Sequence, residues 1–303
     1  MNHGLTEDQA SILAGLDQLL GSRAPAAPTH PVTFIHDAAL DGAIAEAGFL
    51  DIAREPGFGA LDAALIVERL ARLPCALEAA ASAIVAPALD IAAGLRPIAL
   101  ATDPAAAVRH LPMARALLYP RGEAAVLIEI DPARVTPVET LFAYPYGRLD
   151  GLEGLAERVV GEAATLRRRW RIALAVEAAG CMAAGVAAVV EHITTRHAFG
   201  RPLGSFQAIQ HRLARAAETT EATKWLAFRA AWTDSEADAA IAAGFAQQRI
   251  AELTYDLQQF SGAMGLTLEF PLHLWTYRLR ALAGELGGAT VQSRAAAAAA
   301  WGE

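Results

Sequence analysis

The chain has 303 residues and a formal net charge of −8 at pH 7, and 54% of its residues are hydrophobic while only 7% are aromatic. A chain of this length and apolar content can bury a substantial core, so intrinsic disorder is excluded. Much of the apolar content is alanine, the best helix former, which favours a mainly α protein over a β-sandwich or barrel. The acidic balance argues against a nucleic-acid partner, because phosphate binding needs clustered positive charge.

Helical patterns joined by turns fill the first hundred residues. Thr6 and Gln9 have the spacing of a capping box ahead of an apolar periodic run. Three further helices are predicted over residues 37–47, 61–73 and 76–93. We therefore expect an N-terminal helical domain over residues 1–96.

The next sixty residues have a different composition and pattern. Prolines recur every few positions, and short β-branched runs replace the long periodic ones. Residues 125–130 predict a buried strand, with weaker strands over residues 114–119 and 138–144. The expected middle segment is therefore a shortened β-domain over residues 97–155.

The remaining chain returns to long helical patterns with short connections. These patterns cover residues 156–195, 205–233 and 235–261, and a fourth begins at about residue 271. Ser205 and Ser235 are predicted to be N-caps of the second and third helices. Residues 156–303 are thus expected to form an antiparallel four-helix bundle.

Cellular location follows from features that the sequence lacks. Cys75 and Cys181 lie in alanine-rich helical patterns without a second ligand nearby, and the N-terminus lacks a signal-peptide pattern, so a cytoplasmic compartment is expected. The most apolar stretch, residues 175–190, contains Glu177 and has charged flanks. It is predicted to be a buried helix and not a membrane span.

Common catalytic signatures are absent from the sequence. It contains no GxGxxG, GxxxxGK[ST], GxSxG or HExxH motif. His192 and His197 are five residues apart and do not share a helix face, so no metal site is expected.

Two connections between the predicted bundle helices carry residues that an ordinary turn does not need. The first, residues 196–210, reads R-H-A-F-G-R-P-L-G-S-F-Q-A-I-Q. The second, residues 259–273, reads Q-F-S-G-A-M-G-L-T-L-E-F-P-L-H, and its small residues would let the backbone approach an anionic ligand closely.

These two segments, in this order, resemble the R-x-x-F-G-x-x-x-x-x-x-Q signature and the Q-x-x-G-G-x-G-x-x-x-E-x-P loop of the acyl-CoA dehydrogenase family. The order of helical domain, β segment and bundle agrees with that family. The resemblance implies a flavoprotein in which FAD accepts hydride from an acyl-CoA thioester while a carboxylate removes the α-proton.

The resemblance also implies an FAD site shared across a subunit interface. The residues that match the family's contacts to the neighbouring subunit's FAD are Arg196, Phe199, Phe206, Gln207, Gln259, Gly262 and Ala263. A guanidinium and free backbone amides suit a diphosphate. Ala263 stands where the family has a glycine, which puts the closeness of that approach in question.

The sequence departs from the family where the catalytic base belongs. The family spacing from the E-x-P element places Leu286 at the base position, and Glu285 is one residue away, about 100° around a helix. An alternative base position on the first bundle helix falls on Trp170. The β segment is also shorter than the family's and lacks its glycine-rich strand end. No catalytic residue is therefore assigned, and Glu285 is kept as a weak candidate.

These departures favour a subunit without its own complete active site, similar to the truncated partners in heterotetrameric acyl-CoA dehydrogenases that degrade bulky acyl-CoAs such as steroid side chains. The implied partner is a full-length acyl-CoA dehydrogenase subunit, in an α2β2 assembly, with electron-transfer flavoprotein or a similar acceptor. Two alternatives stay open: a self-sufficient homomeric dehydrogenase that uses Glu285, and a structural paralogue that binds no flavin.

Overall fold

The computed structural model of the chain describes residues 4–23 and 32–302, in which helices, small sheets and helices again follow one another. The α-helices of this part are α1 (Glu7–Arg23), α2 (Ala38–Glu46), α3 (Ala60–Ala71), α4 (Ala163–Thr195), α5 (Gln207–Thr233), α6 (Glu236–Ser261), α7 (His273–Gly284) and α8 (Gly288–Trp301). The strands are β1 (Ile98–Leu100), β2 (Val108–Arg109), β3 (Ala116–Arg121), β4 (Ala124–Glu129), β5 (Val135–Val138), β6 (Tyr146–Leu149), β7 (Glu157–Glu162), β8 (His197–Ala198) and β9 (Arg201–Pro202). The predicted mainly α fold is confirmed.

Side-chain caps start the first two helices. The Thr6 amide donates to Gln9 Oε1 at 3.0 Å and the Gln9 amide donates to Thr6 Oγ1 at 3.2 Å, so the predicted capping box is confirmed. The Asp37 carboxylate accepts from the Leu40 amide at 2.9 Å at the start of α2. These helix starts are set by residues close to them in sequence.

The helix predicted over residues 76–93 is wrong. A π-helical turn and a 3-10 turn take its place, at Ala81–Val85 and Ala86–Ala88. The Glu78 carboxylate accepts from the Ser82 amide at 3.1 Å, so the helical turns begin only after Glu78, and Pro87 then supplies no amide to continue them. The same carboxylate accepts from the Ile98 amide at 2.9 Å and ties this segment to β1.

Two small sheets lie between the helical regions. One has the strand order β1-β3-β4-β7 and the other has the order β2-β6-β5, and every pairing except the parallel β1–β3 pair is antiparallel. The strands predicted over residues 114–119 and 125–130 are confirmed by β3 and β4. The strand predicted over residues 138–144 is wrong, because Leu141 is 77% exposed between β5 and β6 and Pro145 has no amide for a ladder.

The long helix predicted from residue 156 begins later than expected, at Ala163. Glu157–Glu162 instead forms β7 and pairs with β4. Only Val160 of this strand is buried, since the strand lies at the sheet edge and turns one face to the core.

The helix α4 is the central element of the bundle and packs against α3, α5, α6 and α7. Gly180 lies where α4 crosses α3, and a Cβ there would approach the Glu68 carbonyl oxygen to 2.4 Å, so only glycine fits. By length and composition α4 could cross a membrane, but 72% of its most apolar window is buried inside the protein. The prediction of a buried helix at residues 175–190 agrees with that burial.

One of the two predicted bundle caps is confirmed. The Ser235 hydroxyl accepts from the Asp238 amide at 3.4 Å at the start of α6. Ser205 does not cap α5, because it lies in a 3-10 turn and its hydroxyl donates to the Pro202 carbonyl at 2.7 Å. Phe206 takes the N-cap position without a side-chain hydrogen bond.

The helix predicted from about residue 271 is interrupted. Its first part, α7, ends at Gly284, a 3-10 turn covers Glu285–Gly287, and α8 follows. Leu286 has a φ of +52°, outside the helical range, so the chain changes direction at the residues considered for the catalytic base.

Candidate functional site

An open cleft of about 660 Å³ lies where α4 ends, α5 begins and α6 ends. We call it the bundle cleft, and its lining residues are His192, Arg196, Leu203, Ala208, Ile209, Arg212, Gln259, Phe260, Ser261, Gly262, Ala263 and Met264. Four of the residues matched to FAD contacts, Arg196, Gln259, Gly262 and Ala263, are thus together in one cleft. A volume of this size is typical of a ligand pocket.

The charge of the bundle cleft is opposite to that of the protein. The chain carries −8 overall, yet none of the residues that line the cleft is acidic, and Arg196 and Arg212 are both among them. Arg196 is exposed, and within residues 4–23 and 32–302 no side chain forms a hydrogen bond or ion pair with its guanidinium. Its donors are available to an anion, and a guanidinium binds phosphate oxygens bidentately.

The turn after α6 gives the cleft an open backbone edge. Gly262 has a φ of +60° and a ψ of −143°, a conformation that side-chain-bearing residues rarely adopt, and a Cβ built there would meet no atom within 4 Å. At Gly265 a Cβ would approach the Gln258 carbonyl oxygen to 2.9 Å, so this glycine is required by packing. Ala263 lies between them in a 3-10 turn and is exposed.

The other three matched residues lie beside the cleft and do not line it. Phe199 and Gly200 form the tip of the β8–β9 hairpin, and both have positive φ, as a two-residue turn requires. The Phe199 ring is 93% exposed and lies edge-on to Phe206, with 6.2 Å between ring centroids, and Arg201 lies 4.0 Å above the Phe206 ring. Gln207, the first residue of α5, is exposed.

The residues considered for the catalytic base meet at a second place, inside the protein. Trp170 Nε1 donates to Glu285 Oε2 at 2.9 Å, and Arg109 Nε donates to Glu285 Oε1 at 2.7 Å. Leu286 is half-buried and packs against the apolar core of the bundle. Both oxygens of the Glu285 carboxylate therefore already accept a hydrogen bond from the protein.

Arg109 joins this carboxylate to a second one. Its Nη1 donates to both oxygens of Glu177 at 2.8 Å, and the Tyr144 hydroxyl donates to Glu177 at 2.7 Å. The Arg109 guanidinium also lies 4.7 Å from the centroid of the Tyr144 ring. We call these five residues the buried network: Arg109, Tyr144, Trp170, Glu177 and Glu285.

Burial sets the protonation behaviour of the buried network. It raises the pKa of the Glu285 carboxyl above its ordinary value, and the charge of Arg109 opposes that shift only in part. Burial alone would lower the pKa of Arg109, but Glu177 and Glu285 outweigh it and hold that pKa well above its ordinary range. Burial and then Glu177 raise the pKa of Tyr144, so its hydroxyl stays a donor.

Little space is left around the buried network. A cavity of about 140 Å³ borders Glu285 on one side, and one of about 10 Å³ borders Arg109, His110 and Glu177 on the other. Pockets that bind small molecules usually measure about 300–1,000 Å³. In the part of the chain that the structure describes, the place that corresponds to the base is therefore filled by side chains.

Sequence reasoning did not find Arg109, Tyr144 or Glu177 as part of a site. Arg109 lies 176 residues before Glu285 and 68 before Glu177, so no local pattern joins them. The single signal was Glu177 itself, a carboxylate within the most apolar helix, because a buried charge requires a partner.

Comparisons with known proteins identify relatives of this chain. Residues 164–300 match the family model of the acyl-CoA dehydrogenase C-terminal domain. Acyl-CoA dehydrogenase IpdE2 of Mycolicibacterium smegmatis is 28% identical over 175 residues, which cover 56% of this chain and 56% of that protein. The chain spans about half the length, or less, of the curated relatives that it matches.

Two solved structures share the fold along almost the whole chain. A chain from the electron transferring flavoprotein structure of Acidaminococcus fermentans has a TM-score of 0.80 at 20% identity and covers 100% of both chains. A chain of the ChsE4-ChsE5 complex from Mycobacterium tuberculosis has a TM-score of 0.74 at 20% identity and covers 97% of both. At these identities the likeness shows the fold.

Proposed function

We propose that this chain, whose residues 164–300 match the acyl-CoA dehydrogenase C-terminal domain, is a subunit that completes the FAD site of a catalytic partner and has no active site of its own. The observation that carries this proposal is the buried network, in which Arg109 and Trp170 occupy both oxygens of Glu285. The neighbouring residue at the family's base position, Leu286, has no group that can take a proton.

A general base must reach the proton that it removes. Catalytic bases lie within about 2.6–3.2 Å of the reacting group in a productive complex, and Glu285 already has donors at 2.7 and 2.9 Å. Turning this carboxylate away from Arg109 toward a substrate would leave a buried guanidinium with one carboxylate fewer. The 140 Å³ beside it is also too small for an acyl-CoA.

The donor set of the bundle cleft fits the diphosphate part of FAD. Arg196 would pair with phosphate oxygens, Gln259 would supply an amide, and the backbone at Gly262 and Ala263 would lie against the ligand, since the space beside Gly262 is open. When bound, FAD supplies the acceptor for hydride from the acyl β-carbon. The role proposed for this chain is to hold and orient that group and to exclude water from it.

The proposed partner is a full-length acyl-CoA dehydrogenase subunit in a hetero-oligomer. Two features support an interface beside the cleft: Phe199 projects a 93% exposed ring from a left-handed backbone position, and Gln207, the residue after Phe206, is exposed. An exposed aromatic residue at a protruding tip is typical of an interface anchor. One of the structural neighbours is itself a complex of two proteins, ChsE4 and ChsE5. The substrate we propose is a bulky acyl-CoA bound by the partner.

The test is flavin content. The chain is expressed alone and together with a full-length acyl-CoA dehydrogenase subunit from the same genome, and FAD per subunit is measured after gel filtration. We expect a nearly colourless protein alone and a yellow complex on co-expression. A stoichiometric flavin spectrum from the isolated chain would support the homomeric alternative, and a stable complex without flavin would support the structural paralogue.

A further inference from the structure

The bundle cleft contains a second arginine that the family motifs do not single out. Arg212 lies on α5, in the lining of the cleft, whereas Arg196 is the residue that follows α4. Its Nη2 donates to the carboxylate of Asp256 on α6, and its guanidinium lies 4.8 Å from the centroid of the Phe260 ring. A carboxylate and an aromatic face thus hold the guanidinium in one orientation.

This arrangement leaves most of the guanidinium available. An arginine has five N–H donors. Within the described part of the chain, Arg212 forms one hydrogen bond, which it donates to Asp256. The side chain of Arg212 is 33% exposed while that of Asp256 is 8% exposed, so Asp256 lies behind Arg212 and the guanidinium faces the open side.

We propose that Arg212, oriented by Asp256, is a second phosphate-binding residue of the bundle cleft and gives it a preference for a nucleoside diphosphate over a monophosphate. This inference rests on the proposed function, because it assigns Arg212 to the same FAD diphosphate as Arg196. Two guanidiniums, one on α5 and one just after α4, suit two linked phosphates, whereas one phosphate can be satisfied by a single bidentate arginine.

The experiment measures binding of ADP, AMP and adenosine to the isolated full chain by titration calorimetry. We expect the wild type to bind ADP more tightly than AMP, and Arg212→Gln to weaken ADP binding by about ten- to a hundredfold, the range for a charged hydrogen bond. AMP binding should change by a few-fold at most. Arg215→Gln, one turn further along α5 and exposed, is the matched control and should leave both affinities unchanged.

Asp256→Asn separates orientation from charge. Removing this carboxylate makes the cleft more positive, which alone would strengthen binding of both nucleotides. If Asp256 orients Arg212, the ratio of ADP to AMP affinity falls instead. The ratio of ADP to AMP affinity could instead stay the same in both Arg212→Gln and Asp256→Asn while both melting temperatures fall. That result would mean that the pair only joins α5 to α6, and it would overturn the proposal.

Two further results complete the test. If Arg212→Gln does not fold, Arg212→Lys replaces it, because lysine keeps the charge but lacks the planar guanidinium that binds two oxygens. This variant should lose part of the preference for ADP over AMP. An unchanged preference overturns the proposal. Absence of ADP binding by the wild type at millimolar concentration overturns it as well. Failure of the proposed function looks different, because the complex would then contain no FAD while the ADP preference of the isolated chain still depends on Arg212.

Discussion

The bundle cleft and the buried network are both built around arginine, but they present it in opposite ways. Arg196 is exposed and has no side-chain partner in the described residues, whereas the side chain of Arg109 is 11% exposed and binds Glu177 and Glu285. An open arginine can bind the anion of a ligand, while an enclosed one stabilises the charges buried with it. The contrast agrees with the proposal that this chain holds a cofactor in the bundle cleft and has no catalytic base of its own.

The largest effect is expected from removing Arg109, the enclosed arginine of the buried network. Arg109→Met leaves two buried carboxylates without their cation and should lower the free energy of unfolding by about 3–5 kcal/mol. Urea unfolding of the isolated chain measures this loss. Arg148→Met, at an exposed position in β6, should change it by less than about 0.5 kcal/mol.

A rescue variant shows whether unpaired charge is the cause. Arg109→Met combined with Glu177→Gln and Glu285→Gln removes all three charges and should recover most of the lost stability. A loss below about 1 kcal/mol for Arg109→Met alone would contradict the account of the buried network as a structural ion cluster.

Removing Arg196, the exposed arginine of the bundle cleft, should affect cofactor binding and not stability. Arg196→Ala should leave the unfolding free energy of the chain almost unchanged but weaken FAD retention in the assembled complex by about 2–5 kcal/mol, because a diphosphate charge loses its partner. Flavin absorbance per complex after gel filtration measures this effect. Arg280→Ala, at an exposed position on α7, is the control, and equal flavin retention in the two variants would count against the cleft as the cofactor site.

The pH dependence of stability sharpens the comparison at Glu285. Burial raises the pKa of Glu285 in the folded protein, so the folded state binds its proton more tightly than the unfolded state does. This contribution to stability is complete below the ordinary pKa of 4.5 and is lost as pH rises through the raised pKa. Glu285→Gln should therefore gain stability relative to the wild type as pH rises from about 4.5.

Glu157 offers a control of opposite sign. Hydrogen bonds from Tyr119 and Arg121 lower the pKa of Glu157, so its stabilising contribution is present above the ordinary pKa and lost as pH falls. Glu157→Gln should therefore lose stability relative to the wild type as pH rises. Denaturant titrations from about pH 2.5 to 8 measure both differences, and the same slope for the two variants would show that burial does not govern Glu285.

The smallest effect is expected at the hairpin tip. Phe199 has a φ of +53°, a conformation that costs most residues about 1–2 kcal/mol and that asparagine adopts more easily. Phe199→Asn should therefore leave the isolated chain as stable or up to about 1 kcal/mol more stable, while association with the full-length subunit becomes weaker. Leu141→Ser, at another exposed apolar position, should change neither quantity, and sedimentation analysis of the complex distinguishes the two variants.

The two regions also differ in how far the sequence could predict them. The residues of the bundle cleft occur in two short motifs, and the capping box at Thr6 and the cap at Ser235 are equally local, so each could be inferred from neighbouring residues. The buried network joins Arg109 to Glu285 across 176 residues. In the segment wrongly predicted to be a helix, the Glu78 carboxylate accepts from the amide of Ile98 in β1, 20 residues away. Such contacts are set by tertiary packing and leave no periodic pattern in the sequence.

The activity of Glu285→Gln in the assembled complex tests the central claim most directly. If this chain supplies no base, the variant complex should keep most of its acyl-CoA dehydrogenation rate, whereas replacement of the partner's catalytic carboxylate should lower that rate by about 10²–10⁴-fold. Dehydrogenation by this chain alone, with added FAD and an artificial electron acceptor, that disappears in Glu285→Gln would contradict the account.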